Sequence, residues 1–221
     1  MLEQIQSFDH WLILRVNREW VNPFLDRLLP TVASFPAWTP LLLLAAALAW
    51  WRGGFRARAF LVCATVAVLL SEGFIGGPLK KTIGRVRPNE TTPEVVKRSL
   101  PGAKPQMLAL FRAPDLIEGH ALKPDARGRS FPSSHTVNMF SVAAVAFAFL
   151  GGGGWCFLAV ATLVAWSRVY CGVHWPSDVA GSALLGLLSG RVTVMLCETV
   201  WQKYGSRLLP SAHARHPRLR G

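Results

Sequence analysis

The chain has 221 residues, 51% of them hydrophobic and 16% charged, with a formal net charge of +12. Soluble domains carry about 25% charged residues, so this deficit, with a mean hydropathy of +0.31, points to lipid as the main solvent. The length allows one domain. No nucleic-acid-binding module accompanies the basic excess, which leaves basic loops flanking membrane helices and a site for an anionic substrate as its explanations.

In chain order, residues 1–30 come first. Phe8, Trp11, Leu12, Leu14, Val16 and Trp20 alternate there with charges, the pattern of an amphipathic segment lying in the membrane interface. Glu3, Asp9, Arg15, Arg18 and Glu19 do not suit a signal-peptide core. A hydrocarbon core about 30 Å thick needs about 20 mostly apolar helical residues. Five stretches qualify: 31–51, 59–77, 134–150, 155–171 and 177–200. Pro36 and Pro40 should kink or delay the first. The expected fold is an all-α integral membrane bundle of five transmembrane helices, with a sixth crossing left open for the N-terminal segment. Residues 1–221 form a single domain.

Short loops set the orientation. Arg52, Arg56 and Arg58 lie between the first two spans, and Lys203, Arg207, Arg215, Arg218 and Arg220 follow the last. Five spans put both clusters on one side, the cytoplasmic one, with 203–221 as a basic tail against anionic lipid. The long loop 89–131 then lies outside. Long loops are poor topological evidence, so its own basic residues are no strong objection. Within it, Arg127 and Arg129 are candidates for contact with a headgroup or with lipid phosphates, and His120 is expected to be exposed.

Three polar clusters fall at the outer ends of the spans: KKTIGRVRP at 80–88, SFPSSH at 130–135 and SRVYCGVHWPSD at 167–178. They are distant in sequence, yet the topology puts them in one layer. Lys80, Arg87 and Arg168 are cationic donors, and guanidinium groups bind phosphate oxygens in bidentate fashion. Ser133, Ser134 and His135 open a helix, whose free N–H groups favour an anion. Asp178, in the first turn of the last span, is placed to hold one ring nitrogen of His174, leaving the other nucleophilic. His135, on a different helix, is free to protonate a leaving oxygen. Singly, each residue has a plain structural reading: interfacial anchor, snorkelling cation, helix cap. Those readings do not explain why all share one side. A phosphoryl group fits this set better than a carboxylate does.

The same three stretches resemble the signature of the type 2 phosphatidic acid phosphatase superfamily. Lys80 and Arg87-Pro88 fit its first motif, Pro132-Ser133-Ser134-His135 its second, and Ser167, Arg168, His174 and Asp178 its third. The one departure is Ser134, where the family usually has glycine. The resemblance covers nearly half of the chain, from Lys80 to Asp178. It implies that His174 attacks phosphorus to form a phosphohistidine, that Asp178 orients it, and that His135 protonates the leaving group. Lys80, Arg87, Ser133, Ser134 and Arg168 would cradle the phosphate, with no metal or other cofactor. It also implies a lipid phosphate or pyrophosphate substrate at the outer face of a bacterial inner membrane. Undecaprenyl pyrophosphate is the first candidate; lipid A 1-phosphate, phosphatidylglycerophosphate and phosphatidic acid are alternatives. A phosphotransferase and a non-catalytic lipid-binding or transport protein are the readings from other classes.

Three further features carry expectations. Glu72 lies inside the second span, about two turns before Lys80, and is expected to pair with a basic residue of the site. Gly186 and Gly190 make a Gly-x-x-x-Gly pair suited to close helix packing. Cys63, Cys156, Cys171 and Cys197 lack metal-like spacing and are expected to be buried and inert.

Overall fold

The computed structural model describes residues 2–122 and 128–220. Helix α1 (Leu2–Leu14) runs into a π-helical turn at Arg15–Glu19. Helices α2 (Pro23–Ala33), α3 (Phe35–Arg52) and α4 (Phe55–Leu70) follow, and a second π-helical turn, Ser71–Gly76, leads into α5 (Gly77–Ile83). After the long loop come α6 (Ser134–Leu150), α7 (Gly154–Tyr170), α8 (Pro176–Leu208) and α9 (Pro210–Arg215). Local signals set several starts. The Asn22 side chain accepts the Leu25 N–H, and Pro23 follows in the first turn of α2, where its missing N–H is no loss. Pro176 plays the same part in α8.

Three helical stretches are long and apolar enough to cross a bilayer: Phe55–Glu90, Ser134–Tyr170 and Pro176–Leu208. The pair α2–α3, bent by 58°, makes a fourth. The second of these is a hairpin. Phe140 and Ala143 of α6 pack on Ala161 and Ala165 of α7, the chain folding back at Gly151–Gly153, where Gly151 takes a φ of +55°.

The expected first span, 31–51, is therefore divided. Its break falls at Ser34, ahead of Pro36, which sits in the first turn of α3, and α3 continues through Pro40. The second and fifth spans run on as helix beyond their expected ends, to Ile83 and Leu208. Residues 203–220 pack in part on the bundle. Leu219 is buried against Ala59 and Cys63, the His216 ring stacks on Phe55 at 4.5 Å, and Leu219 N–H donates to Glu198. One face of the N-terminal segment packs on the bundle: Asp9, Ile13, Val16 and Asn17 are buried, while Phe8, Trp11 and Trp20 are exposed. Of the cysteines, Cys63 and Cys171 are buried, Cys197 is half-buried, and Cys156 is exposed.

Helix α6 is central and packs on α4, α7 and α8. A Cβ on Gly186 would stand 2.5 Å from the Val137 carbonyl oxygen, and one on Gly190 2.3 Å from that of Ser141. Only glycine permits this approach, as the Gly-x-x-x-Gly spacing predicted. Where lipid is the solvent, apolar area alone does not drive helices together; packing and interhelical hydrogen bonds do. The Ser71 hydroxyl bridges three helices, 3.0 Å from that of Ser141 and 3.1 Å from that of Ser189.

One element departs from an all-helical fold. In the loop 89–131, β1 (Val96–Ser99) pairs antiparallel with β2 (Asp115–Glu118). Buried Asn17 secures β1 to the bundle. Its side-chain amide donates to the carbonyls of Val96 (2.8 Å) and Tyr170 (2.7 Å), and its oxygen accepts the Val96 N–H. Gly172, with φ +70°, lets β1 pass close: a Cβ there would meet Val96 O at 2.6 Å.

Candidate active site

The ends of four helices meet at one end of the bundle. Lys80 is on the last turn of α5. Ser134 and His135 open α6, Arg168 closes α7, and His174 lies in the turn before α8, whose first turn holds Asp178. The three polar clusters are thus brought together.

The Lys80 ammonium donates to Ser134 Oγ at 2.6 Å. The charges of Arg168, Lys80 and Arg87 all act on His135, and those of Arg168 and Arg87 also act on His174. His174 is 3% exposed. Burial, reinforced by the two arginines, holds its imidazole well below the usual histidine range, so the ring is neutral at pH 7, as a nucleophile requires. Three polar atoms here are buried without a hydrogen-bond partner among the described residues: Nε of Arg87, Nε of Arg168 and Nδ1 of His174. Buried polar groups of native proteins are rarely unpaired. Three in one place, two of them on cations, mark a site whose partner is an anion.

Three residues make contacts other than those expected. Asp178 makes no hydrogen bond to His174. Its Oδ1 accepts from Arg85 at 2.6 Å, and its Oδ2 accepts from the Ser130 hydroxyl and from Trp175 N–H at 3.2 Å. It thus caps α8 as well as joining the site. Ser133 turns inward: it is fully buried, and its N–H donates to Ser182 Oγ at 2.8 Å. Ser134 and His135, with the open first turn of α6, remain in reach of the site. Glu72 accepts from the Asn138 amide at 2.7 Å rather than from a base, though its charge acts on Lys80. His120 and Arg129 are exposed; Arg127 lies outside the described residues. The Cys171 thiol, pushed up to about 11 by burial, is inert.

Residues not foreseen as part of the site are Arg85, Asp9, Ser130 and Ser177. Arg85 lies inside the first basic cluster. Asp9 shares a helical stripe with Ile13 and Val16, and an acid on an apolar stripe is a legible signal.

The sequence profile of the PAP2 superfamily matches residues 59–202, from α4 into α8. The chain belongs to the PAP2 superfamily. The chain is 50% identical over 60 residues to a protein of Bacillus licheniformis named bacitracin transport permease protein BcrC, covering 27% of this chain and 30% of that one. It is 35% identical over 72 residues to the undecaprenyl-diphosphatase BcrC of Bacillus subtilis (strain 168), covering 32% and 37%. The matches thus span about a third of those two relatives. Among solved structures, the transmembrane PAP2 type phosphatidylglycerolphosphate phosphatase of Bacillus subtilis superposes with a TM-score of 0.57. The identity is 23%, over 89% of this chain and 88% of that one. The fold is accordingly that of a mostly helical transmembrane PAP2 protein, and the motifs near Lys80, His135 and His174 lie inside the matched region.

Proposed function

We propose that this PAP2 protein is a metal-independent lipid phosphate phosphatase, with undecaprenyl pyrophosphate as its first substrate candidate. The observation that carries the reading is the group of buried, unpartnered nitrogens of Arg87, Arg168 and His174, beside Lys80 and the start of α6. A phosphoryl group supplies acceptors for the two arginine nitrogens, its charge offsets theirs, and its phosphorus is within the chemistry of the His174 ring. The diphosphate is preferred because the Bacillus subtilis relative is named an undecaprenyl-diphosphatase.

In the proposed reaction, a ring nitrogen of His174 attacks phosphorus. The N–P bond forms as the P–O bond to the leaving group breaks, and His135 gives that oxygen a proton. Water then attacks the phosphohistidine and gives its proton to His135, releasing phosphate and restoring His174. Lys80, Arg87 and Arg168 stabilise the charge on the equatorial oxygens. Asp178 acts by holding the segment from Trp175 onward.

We place this end of the bundle on the periplasmic side of a bacterial inner membrane, with five crossings. Arg52, Arg56 and Arg58, and the basic residues after 202, lie at the opposite end, where Phe55 and Trp201 meet. Short basic loops favour the cytoplasm.

The test is phosphate release by the purified protein in detergent with EDTA present. The panel is undecaprenyl pyrophosphate, lipid A, phosphatidylglycerophosphate, phosphatidic acid and a water-soluble ester. Release that resists EDTA, is fastest with the diphosphate and vanishes in His174→Ala supports the reading. Transfer of phosphate to a second lipid without release would replace it by a phosphotransferase.

A further inference from the structure

Arg85 is not one of the motif residues, yet it is the most heavily engaged side chain around the site. It leaves α5 just after Gly84, which caps that helix in the left-handed region at φ +59°, and its carbonyl accepts the Ser130 N–H at 2.8 Å. Its guanidinium then spans two buried carboxylates. One terminal nitrogen donates to Asp178 Oδ1 at 2.6 Å and to Ser177 Oγ at 2.7 Å; the other donates to Asp9 Oδ2 at 2.5 Å. The same group lies over the Trp175 ring at 5.4 Å.

Asp9 completes the arrangement from a different part of the chain. It is fully buried, and its carboxylate accepts both the Ser177 N–H, at 2.8 Å, and the Ser177 hydroxyl. Among the described residues, every hydrogen-bond partner of the Asp9 and Arg85 side chains therefore belongs to the five-residue segment 174–178 or to the other member of the pair. That segment carries His174 and Asp178. Both terminal nitrogens of Arg85 thus donate to carboxylates.

We infer that Arg85 and Asp9 form a clamp that positions the His174–Asp178 segment for phosphoryl transfer, and that helix α1 is through Asp9 a working part of the active site. Both are positioning residues: they act through Asp178 and Ser177 and do not touch substrate. The inference rests on the phosphatase reading above.

The experiment measures kcat and KM for phosphate release from undecaprenyl pyrophosphate, with full-length wild type, Arg85→Gln, Arg85→Lys, Asp9→Asn and the double variant Arg85→Gln/Asp9→Asn. A small misplacement of a reacting group costs on the order of 100-fold, so Arg85→Gln should lower kcat by about that factor. Its KM should stay within about threefold, since no ground-state contact is lost. Arg85→Lys should recover about tenfold, because a cation still bridges the two acids. Asp9→Asn should lower kcat about tenfold, and adding it to Arg85→Gln should change little, because residues that act as one unit are not additive.

A raised KM with unchanged kcat would make Arg85 a substrate ligand and overturn the clamp. Multiplying effects in the double variant would also overturn it. If Arg85→Gln does not fold, the near-isosteric Asp9→Asn decides by the same criterion, with its thermal midpoint checked above the assay temperature. An active wild type with unaffected variants sinks the clamp alone. A wild type that releases no phosphate sinks the phosphatase reading, and the clamp with it.

Discussion

Arg168→Met should make the protein more stable and inactive at once. The Arg168 Nε is buried without a partner among the described residues, and the charge of Arg87 acts on the same guanidinium. Leaving a buried donor unsatisfied costs about 1–3 kcal/mol, more when it is charged. Methionine keeps much of the apolar stem, so the change relieves that cost and creates little cavity. For a chain of this length each kcal/mol moves the midpoint by about 2–4 °C, so a rise of about 2–12 °C is expected. Thermal unfolding in detergent, with and without inorganic phosphate, is the assay. Phosphate at ten times its Kd should stabilise wild type by about 1.4 kcal/mol and leave Arg168→Met unmoved. A variant less stable than wild type in phosphate-free buffer, or one that responds equally to phosphate, refutes the assignment of Arg168 to an anion cradle.

His174 sets a pH dependence of stability. Its folded value lies well below 6.5, so between that value and 6.5 the unfolded chain binds the proton and the native state does not. Stability therefore falls as pH drops through this window, by about 1.4 kcal/mol per pH unit from this one group, and His174→Gln should flatten that slope in melts taken from pH 7 to pH 4. Gly186→Leu should force α6 from α8 against the Val137 carbonyl, costing about 1–3 kcal/mol or more and lowering kcat, because these helices carry His135 and Asp178. Leu219→Ala, at the other end of the bundle, should cost about 2 kcal/mol with kcat unchanged; a changed kcat would show that the two ends communicate.

Much of this architecture was legible in the sequence where one physical cause dominated. Helix α6 has the expected bounds and α7 lies within one residue of them, because a glycine run divides two apolar stretches of span length. The layer of Lys80, His135 and His174 followed from counting crossings. The misses have a common character. Helix α8 continues past residue 200 because helix geometry persists where apolar content stops, Lys203 being as good a helix former as its neighbours. The bend between α2 and α3 falls at Ser34, where no proline stands. The strands β1 and β2 have four residues each and pair across a long connection, too short for an alternating pattern to register.

The site itself was readable as a set of donors, not as a network. The motif spacing makes Asp178 a neighbour of His174, but the structure gives its oxygens to Arg85, Ser130 and Trp175. Those partners lie 93, 48 and 3 positions away. Only the last is within reach of a local reading. Asp9, 168 positions from Ser177, is invisible to any reading of spacing and is betrayed only by its place on the apolar stripe of α1.

The most direct test of catalysis by His174 is to look for the phosphorylated enzyme. Purified protein is mixed with substrate labelled in the terminal phosphate, quenched within the first turnover and examined for label on the chain. The expected label survives base and is lost in acid, as a phosphorus–nitrogen bond requires, and is absent from His174→Ala. Phosphate release with no label on the chain under any quench, or label that persists in His174→Ala, would contradict catalysis by His174.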